Sequence, residues 1–138
     1  MSDIDSNDGV FDGPEAPVLT YVSTDDIVTI ASAATVRAAA SVIVEQSVGM
    51  LVIGTTDAVF GVVSERDIVR AVADALDLDT TSVADIGSRE LVWIDADDSI
   101  GDAAEEMMKD YVRHALVRDE TGLVGVLSMR DVLSAYTT

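Results

Sequence analysis

The chain has no cysteine, one histidine, one lysine and two prolines among its 138 residues. Without cysteine it can form neither a disulfide nor a thiolate metal site. A lone His114 gives no histidine metal cluster. Aromatic residues are scarce: Trp93, Phe11, Phe60, Tyr21, Tyr111 and Tyr136 are the whole set, so the core must be aliphatic. No apolar run approaches the ~20 residues a spanning helix needs. The N-terminus has no basic stretch ahead of an apolar one, which predicts no secretory signal. Positive charge is the scarcest commodity. Lys109 is the only lysine, and the formal net charge is −18. Such a surface repels nucleic-acid phosphates and anionic lipid, so neither nucleic acid nor membrane is an expected partner.

Abundant acid, little lysine and a Val/Ala-rich interior suit the cytoplasm of a halophilic organism with molar internal salt. There, screening over ~3 Å removes the self-repulsion. A generic acidic protein, or an acidic surface for docking a partner, fits the same composition. No nucleophile–base pair, metal constellation or Gly-Lys phosphate loop is present, so no catalytic residue is assigned and no enzyme is expected.

What the chain does have is a repeat. Gly61-Val62-Val63-Ser64-Glu65-Arg66-Asp67-Ile68 returns as Gly125-Val126-Leu127-Ser128-Met129-Arg130-Asp131-Val132, 64 positions later. Over 28–72 against 92–136 the register holds without a gap, with 11 of 45 positions identical. Residues 1–16 are acidic and aperiodic and read as a disordered tail, with order beginning near Val18. The chain then divides into a first repeat over 17–77 and a second over 78–138. Neither half is comfortable as an independent fold at this size.

Each copy predicts the same plan, an α+β unit of the form β-α-β-β-α. In the first, Ile27–Ile30 is a strand with Val28 and Ile30 inward. Ala33–Gln46 is a helix with the stripe Val36, Ala40, Ile43 and Val44. Met50–Ile53 and Val59–Val63 form a hairpin around Thr55–Asp57, and Ser64 starts a helix with the stripe Ile68, Val69 and Val72. In the second, strand Leu91–Ile94 leads to helix Ser99–Asp110. Strands Ala115–Val117 and Leu123–Leu127 flank a turn at Asp119–Gly122, and helix Met129–Tyr136 follows. Asp77–Thr81 reads as a polar linker, and Val83–Ile86 as a helical turn entering the second copy. Two such copies are expected to pack sheet to sheet about a pseudo-twofold axis, with the repeated Ser-x-x-Asp segments on opposite sides of one shared cleft.

Ser64-x-x-Asp67 and Ser128-x-x-Asp131 carry two readings. One is a capping box that stabilises a helix by ~1 kcal/mol. The other is an anion site. A helix start offers free N–H groups and a positive dipole end. A serine hydroxyl can donate to a phosphate oxygen, and a carboxylate can accept from two vicinal ribose hydroxyls. Arg66 and Arg130 stand beside them, with Arg70 and Arg113 nearby. Gly61 and Gly125 read as a sheet bulge or a close packing contact. Asp95, Asp97, Asp98 and Asp102 flank a helix start and read as caps and solvated face, not as a metal site.

The segments GVVSERDIVRAV and GVLSMRDVLSAY, with TSVADIGSRELVWIDADDSIGDAAEEM between them, resemble the CBS (cystathionine β-synthase) domain in its tandem form, the Bateman module. The resemblance covers about 18–137. It implies a regulatory unit that binds an adenine nucleotide (AMP, ADP or ATP) or S-adenosylmethionine between repeats and signals to a protein effector. It implies no required cofactor, and frequent pairing of two modules into a homodimer. Carried onto this chain, ribose and phosphate fall to Ser64, Arg66, Asp67, Ser128, Arg130 and Asp131. Thr29, Ile30, Gly49 and Met50 would wall the ligand held by Ser128 and Asp131. Trp93, Ile94, Arg113 and His114 would wall the one held by Ser64 and Asp67, the better suited to a phosphorylated ligand. An interaction scaffold that keeps the fold without a ligand is the competing expectation.

Overall fold

Helix starts in this chain are marked by hydroxyls that cap them, and strands by runs of β-branched residues. The computed structural model, which describes residues 13–137, realises that pattern twice. In the first repeat, β1 (Thr29–Ile30) leads to α1 (Val36–Gln46), where Thr35 accepts from the Ala38 N–H. Strands β2 (Met50–Gly54) and β3 (Val59–Ser64) follow, then α2 (Glu65–Ala73) and the short α3 (Val83–Ile86). In the second repeat, β4 (Trp93–Asp95) leads to α4 (Ile100–Lys109), capped by Ser99 onto the Asp102 N–H. Strands β5 (His114–Asp119) and β6 (Gly122–Ser128) and helix α5 (Met129–Tyr136) complete it. Each sheet has three strands, with the first parallel to the second and the second antiparallel to the third. The expected α+β, β-α-β-β-α architecture is therefore present in both copies.

The packing units are not simple halves of the sequence. One compact unit is Asp25–Leu91. The other is Val92–Thr138 together with the stretch ending at Thr24. The segment that precedes each repeat thus packs on the other repeat. In the first unit, Val83 is fully buried among Ala39, Ile43, Leu51, Ile53 and Val63. Ser88 pairs with Val62 through two backbone hydrogen bonds of 2.8 and 2.9 Å. In the second unit, Val18 plays the part of Val83. It is fully buried with Ile94, Ile100, Ala103, Met107 and Leu127, and Pro17 bridges to Ser99 as Ser82 bridges to Thr35. Order also begins ahead of Val18: Gly13–Glu15 is a 3-10 turn and Ala16 is fully buried. The rest of the expected tail, residues 1–12, lies outside the described residues.

The expected stripes need one correction. Val36 and Ile43 are buried, but the third inward position of α1 is Ala39, and Val44 faces solvent. In α2 Ile68 packs on the core and Ala71 is buried, while Val69 and Val72 are exposed. The cause is size. A short helix on a three-strand sheet covers only a narrow strip, so apolar residues at the edge of the stripe are left outside.

Candidate functional site

Each repeated Gly-x-x-Ser-x-x-Asp segment is a strand end turned into a helix start by three devices. The first is a bulge: the register shifts after Ile53↔Gly61 and after Val117↔Gly125. The second is the glycine. A Cβ on Gly61 would lie 2.5 Å from the Ser88 carbonyl oxygen, and one on Gly125 would lie 2.8 Å from Val22. Both glycines therefore mark where the crossing segment of the unit presses on the sheet. The third is the serine. Ser64 and Ser128 sit in extended backbone as N-caps of α2 and α5.

Both capping boxes are complete. Ser64 Oγ accepts from the Asp67 N–H at 3.3 Å and donates to Asp67 Oδ2 at 3.0 Å, and the Ser64 N–H donates to the same oxygen at 2.8 Å. In the second repeat the corresponding distances are 3.2, 2.9 and 2.9 Å, to Asp131 Oδ2. The first-turn N–H of Glu65 donates to the Gly49 carbonyl at 3.0 Å, and that of Met129 to the Arg113 carbonyl at 2.8 Å. Two groups per turn are left over among the described residues: the second-position N–H, on Arg66 or Arg130, and the outer carboxylate oxygen of the aspartate. Asp67 Oδ1 has only the distant guanidinium of Arg70, at 3.7 Å. One free donor at a positive helix end and one free anionic acceptor beside it can hold an anion and a hydroxyl respectively. The serine hydroxyl, with its one proton given to aspartate, must rotate before it can serve a phosphate.

The cations sort by location. Arg37 is paired with Asp79, Arg118 with Asp95 at 3.5 Å, and Arg89 lies 4.3 Å over the Phe60 ring. Arg66, Arg113 and Arg130 are exposed and have no ion pair among the described residues. All three flank the two turns. Arg113 is placed there because its carbonyl accepts from the first N–H of α5.

The remaining expected site residues fall in two groups. Gly49 and Met50 adjoin Ser64 and Glu65 through the β2–β3 ladder, with Met50 buried opposite Ser64. Arg113 and His114 adjoin Ser128 and Met129 in the same way, with His114 opposite Ser128. Within a unit, then, the cation-bearing strand start stands beside Asp131. Thr29 and Ile30 lie on β1 opposite Val52 and Ile53, and Trp93 and Ile94 lie on β4 opposite Leu116 and Val117. Thr29 is exposed and Ile94 buried, and the half-buried Trp93 ring has the Arg118 guanidinium 5.2 Å from its centre.

In the acidic run, Asp98 accepts from the Asp95 N–H and Ser99 caps α4, as a turn into a helix requires. No group of metal-ligating side chains converges among the described residues. No helix there is long and apolar enough to cross a membrane. The sequence reading missed the crossing segments at Val22 and Ser88. The two glycines they contact were the available signal.

Comparison with known proteins agrees with this construction. The family model for the CBS domain matches residues 19–74 and 83–138. Hypoxic response protein 1 of Mycobacterium tuberculosis is 32% identical over 100 residues, 71% of this chain and 70% of its own length. A CBS domain protein from Pyrobaculum aerophilum, solved in complex with AMP, superposes with a TM-score of 0.75 at 30% identity, covering 88% of this chain and 98% of that one. An uncharacterized conserved protein from Pyrococcus horikoshii gives a TM-score of 0.81 at 25% identity, covering 91% and 95%. With both repeats matched over nearly their whole length, the chain belongs to the CBS domain family.

Proposed function

We propose that this CBS pair is a non-catalytic regulatory module that binds an adenine nucleotide or related adenosyl ligand and passes its occupancy to a protein effector. The observation that carries the reading is the placement of unpaired positive charge. In a chain of net charge −18, the arginines that have neither an acidic partner nor an aromatic ring beneath them among the described residues are Arg66, Arg113 and Arg130, and all three flank the two Ser-x-x-Asp helix starts. The AMP complex of the Pyrobaculum aerophilum relative supports the ligand class. In this reading the free N–H and guanidinium of Arg66 or Arg130 take phosphate, with Ser64 or Ser128 after rotation of the hydroxyl. The outer oxygen of Asp67 or Asp131 accepts from ribose. Gly49, Met50, Thr29, Ile30, Trp93, Ile94, Arg113 and His114 line the base. The module needs no cofactor, works as a homodimer, and resides in the cytoplasm of a halophilic cell.

One observation favours the scaffold alternative. Both serine–aspartate pairs are satisfied by each other, as they would be in a chain that keeps the motif only for capping. A thermal-denaturation screen with AMP, ADP, ATP, S-adenosylmethionine and NAD in molar salt separates the two. A ligand at 100 times its dissociation constant stabilises by about 2.7 kcal/mol. At roughly 2.1 cal/mol/K of unfolding entropy per residue, that raises the midpoint by about 9 °C for a chain of this length. No shift with any of the five leaves the scaffold reading.

A further inference from the structure

The two helix starts agree in the residues that build the cap and differ in those beside it. At the 64-residue spacing Glu65 returns as Met129, Gly49 as Arg113 and Met50 as His114. Each of these positions is tied to its own turn. The Glu65 N–H donates to the Gly49 carbonyl, and the Met129 N–H to the Arg113 carbonyl. Met50 lies opposite Ser64 in the first sheet, and His114 opposite Ser128 in the second.

The differences run in one direction. At the first turn an exposed carboxylate, Glu65, stands one residue before the free N–H of Arg66, with a glycine and a buried thioether on the neighbouring strand. At the second turn Met129 replaces that carboxylate and packs on the core, and an exposed Arg113 replaces the glycine. The strand start and first helical turn thus hold Glu65, Arg66 and Asp67 in one repeat, and Arg113, Arg130 and Asp131 in the other. Two acids and one base face two bases and one acid. Arg70 adds a cation to the first turn, but it rests against Asp67 at 3.7 Å.

From this asymmetry we infer that the turns divide the ligand class between them. The Ser128–Asp131 turn takes an adenosine di- or triphosphate, and the Ser64–Asp67 turn takes an adenosyl ligand with at most one phosphate. Glu65 and Arg113 set the difference. The inference rests on the nucleotide reading above and adds charge selectivity to it. Each further phosphate group brings negative charge to a turn whose base and ribose contacts stay the same. A unit charge of the protein about 7 Å away changes affinity roughly three- to tenfold once water and salt have screened it. The order is the reverse of the one expected from sequence, because the strand register sets Arg113 and His114 beside Ser128.

Calorimetric titration with AMP and ATP, without divalent metal and at pH 8 where an imidazole is ordinarily neutral, reads the turns one at a time. Asp131→Asn leaves the first turn and Asp67→Asn the second. The second turn should bind ATP roughly three- to tenfold more tightly than AMP, and the first should bind AMP at least as tightly as ATP. Glu65→Gln on the Asp131→Asn background should raise ATP affinity by a similar factor, and Arg113→Gln on the Asp67→Asn background should lower it. AMP should move less in both, a split that a merely structural change would not give. The gap between the turns should narrow in molar salt. An equal ATP-to-AMP ratio at the two turns, or a higher one at the first, overturns the inference and leaves the nucleotide reading standing. Ratios that differ but respond to neither Glu65→Gln nor Arg113→Gln overturn the assignment to these residues. A natural chain that binds neither AMP nor ATP overturns the nucleotide reading and this inference with it.

Discussion

Replacing Asp67 by asparagine separates the two roles its side chain can have. In the structure one carboxylate oxygen, Oδ2, accepts both from the Ser64 N–H at 2.8 Å and from Ser64 Oγ at 3.0 Å. The amide oxygen of asparagine can take that position and keep both hydrogen bonds. What leaves the folded chain is a negative charge at the start of α2, a loss of ~0.3–1 kcal/mol. The Arg70 contact adds little, being 3.7 Å long with the arginine largely in solvent. Stability should therefore fall by no more than about 1 kcal/mol. The free oxygen, Oδ1, becomes an NH2 group and can no longer accept from a ribose hydroxyl. A hydrogen bond to a charged acceptor contributes ~1.5–3 kcal/mol, so AMP affinity at this turn should fall roughly ten- to 150-fold. Asp131→Asn should behave alike at the second turn. Urea unfolding measures the first quantity and calorimetric titration with AMP the second. A variant that loses several kcal/mol of stability with its AMP affinity unchanged would refute the assignment of the free oxygen to ligand.

Gly61→Ala should destabilise more than Gly125→Ala. The added methyl at Gly61 meets a backbone carbonyl and threatens both Val62–Ser88 hydrogen bonds. Overpacking of ~1–3 kcal/mol plus two bonds of ~1 kcal/mol each gives a loss of about 3–5 kcal/mol. At Gly125 the obstacle is the Val22 side chain, and equal urea midpoints for the two variants would contradict this account. At the end of α4, the hydrogen bond and the like charge of Asp110 both raise the Glu106 carboxyl above its ordinary value. A raised folded value means stability that is present at acid pH and is lost as pH rises through the carboxylate range. Asp110→Asn should lift the thermal midpoint at pH 7 but not at pH 4. The gain should shrink in molar salt. A gain that is the same at both pH values points to helix capping rather than to this pair.

The elements were legible where a local residue type forces a local geometry. Ser64 and Ser128 with an acid three residues on mark helix starts under either reading of the motif, and Thr55–Asp57 and Asp119–Gly122 mark turns between β-branched runs. The partners of each element were less legible. Val83 reads as apolar and helical from sequence, but nothing in its neighbours says that it packs on the repeat it follows. Periodicity also overcounted the core at Val44, Val69 and Val72. It reports which side of a helix is apolar and is blind to how wide a strip the sheet can cover. At the site, residue types were readable and their mutual orientation was not. A serine hydroxyl and a carboxylate three residues apart can face a ligand or face each other, and in this structure they face each other.

That self-satisfaction gives a ligand leverage over the fold. A molecule that took only the outer oxygen of Asp67 would leave the capping box intact and change little else. One that drew the Ser64 proton to a phosphate would break the bond to Asp67 Oδ2 and replace it by its own contact with the start of α2. The same helix carries Val69 and Val72 one to two turns on, and α5 carries Leu133 and Tyr136 at the matching distance from Ser128. Ligand turn and apolar face are thus the beginning and the outer side of one short rigid element. If the turns bind as proposed and the effector touches this face, the two equilibria share that element. By linkage, whatever factor occupancy applies to effector affinity, effector binding must apply to ligand affinity.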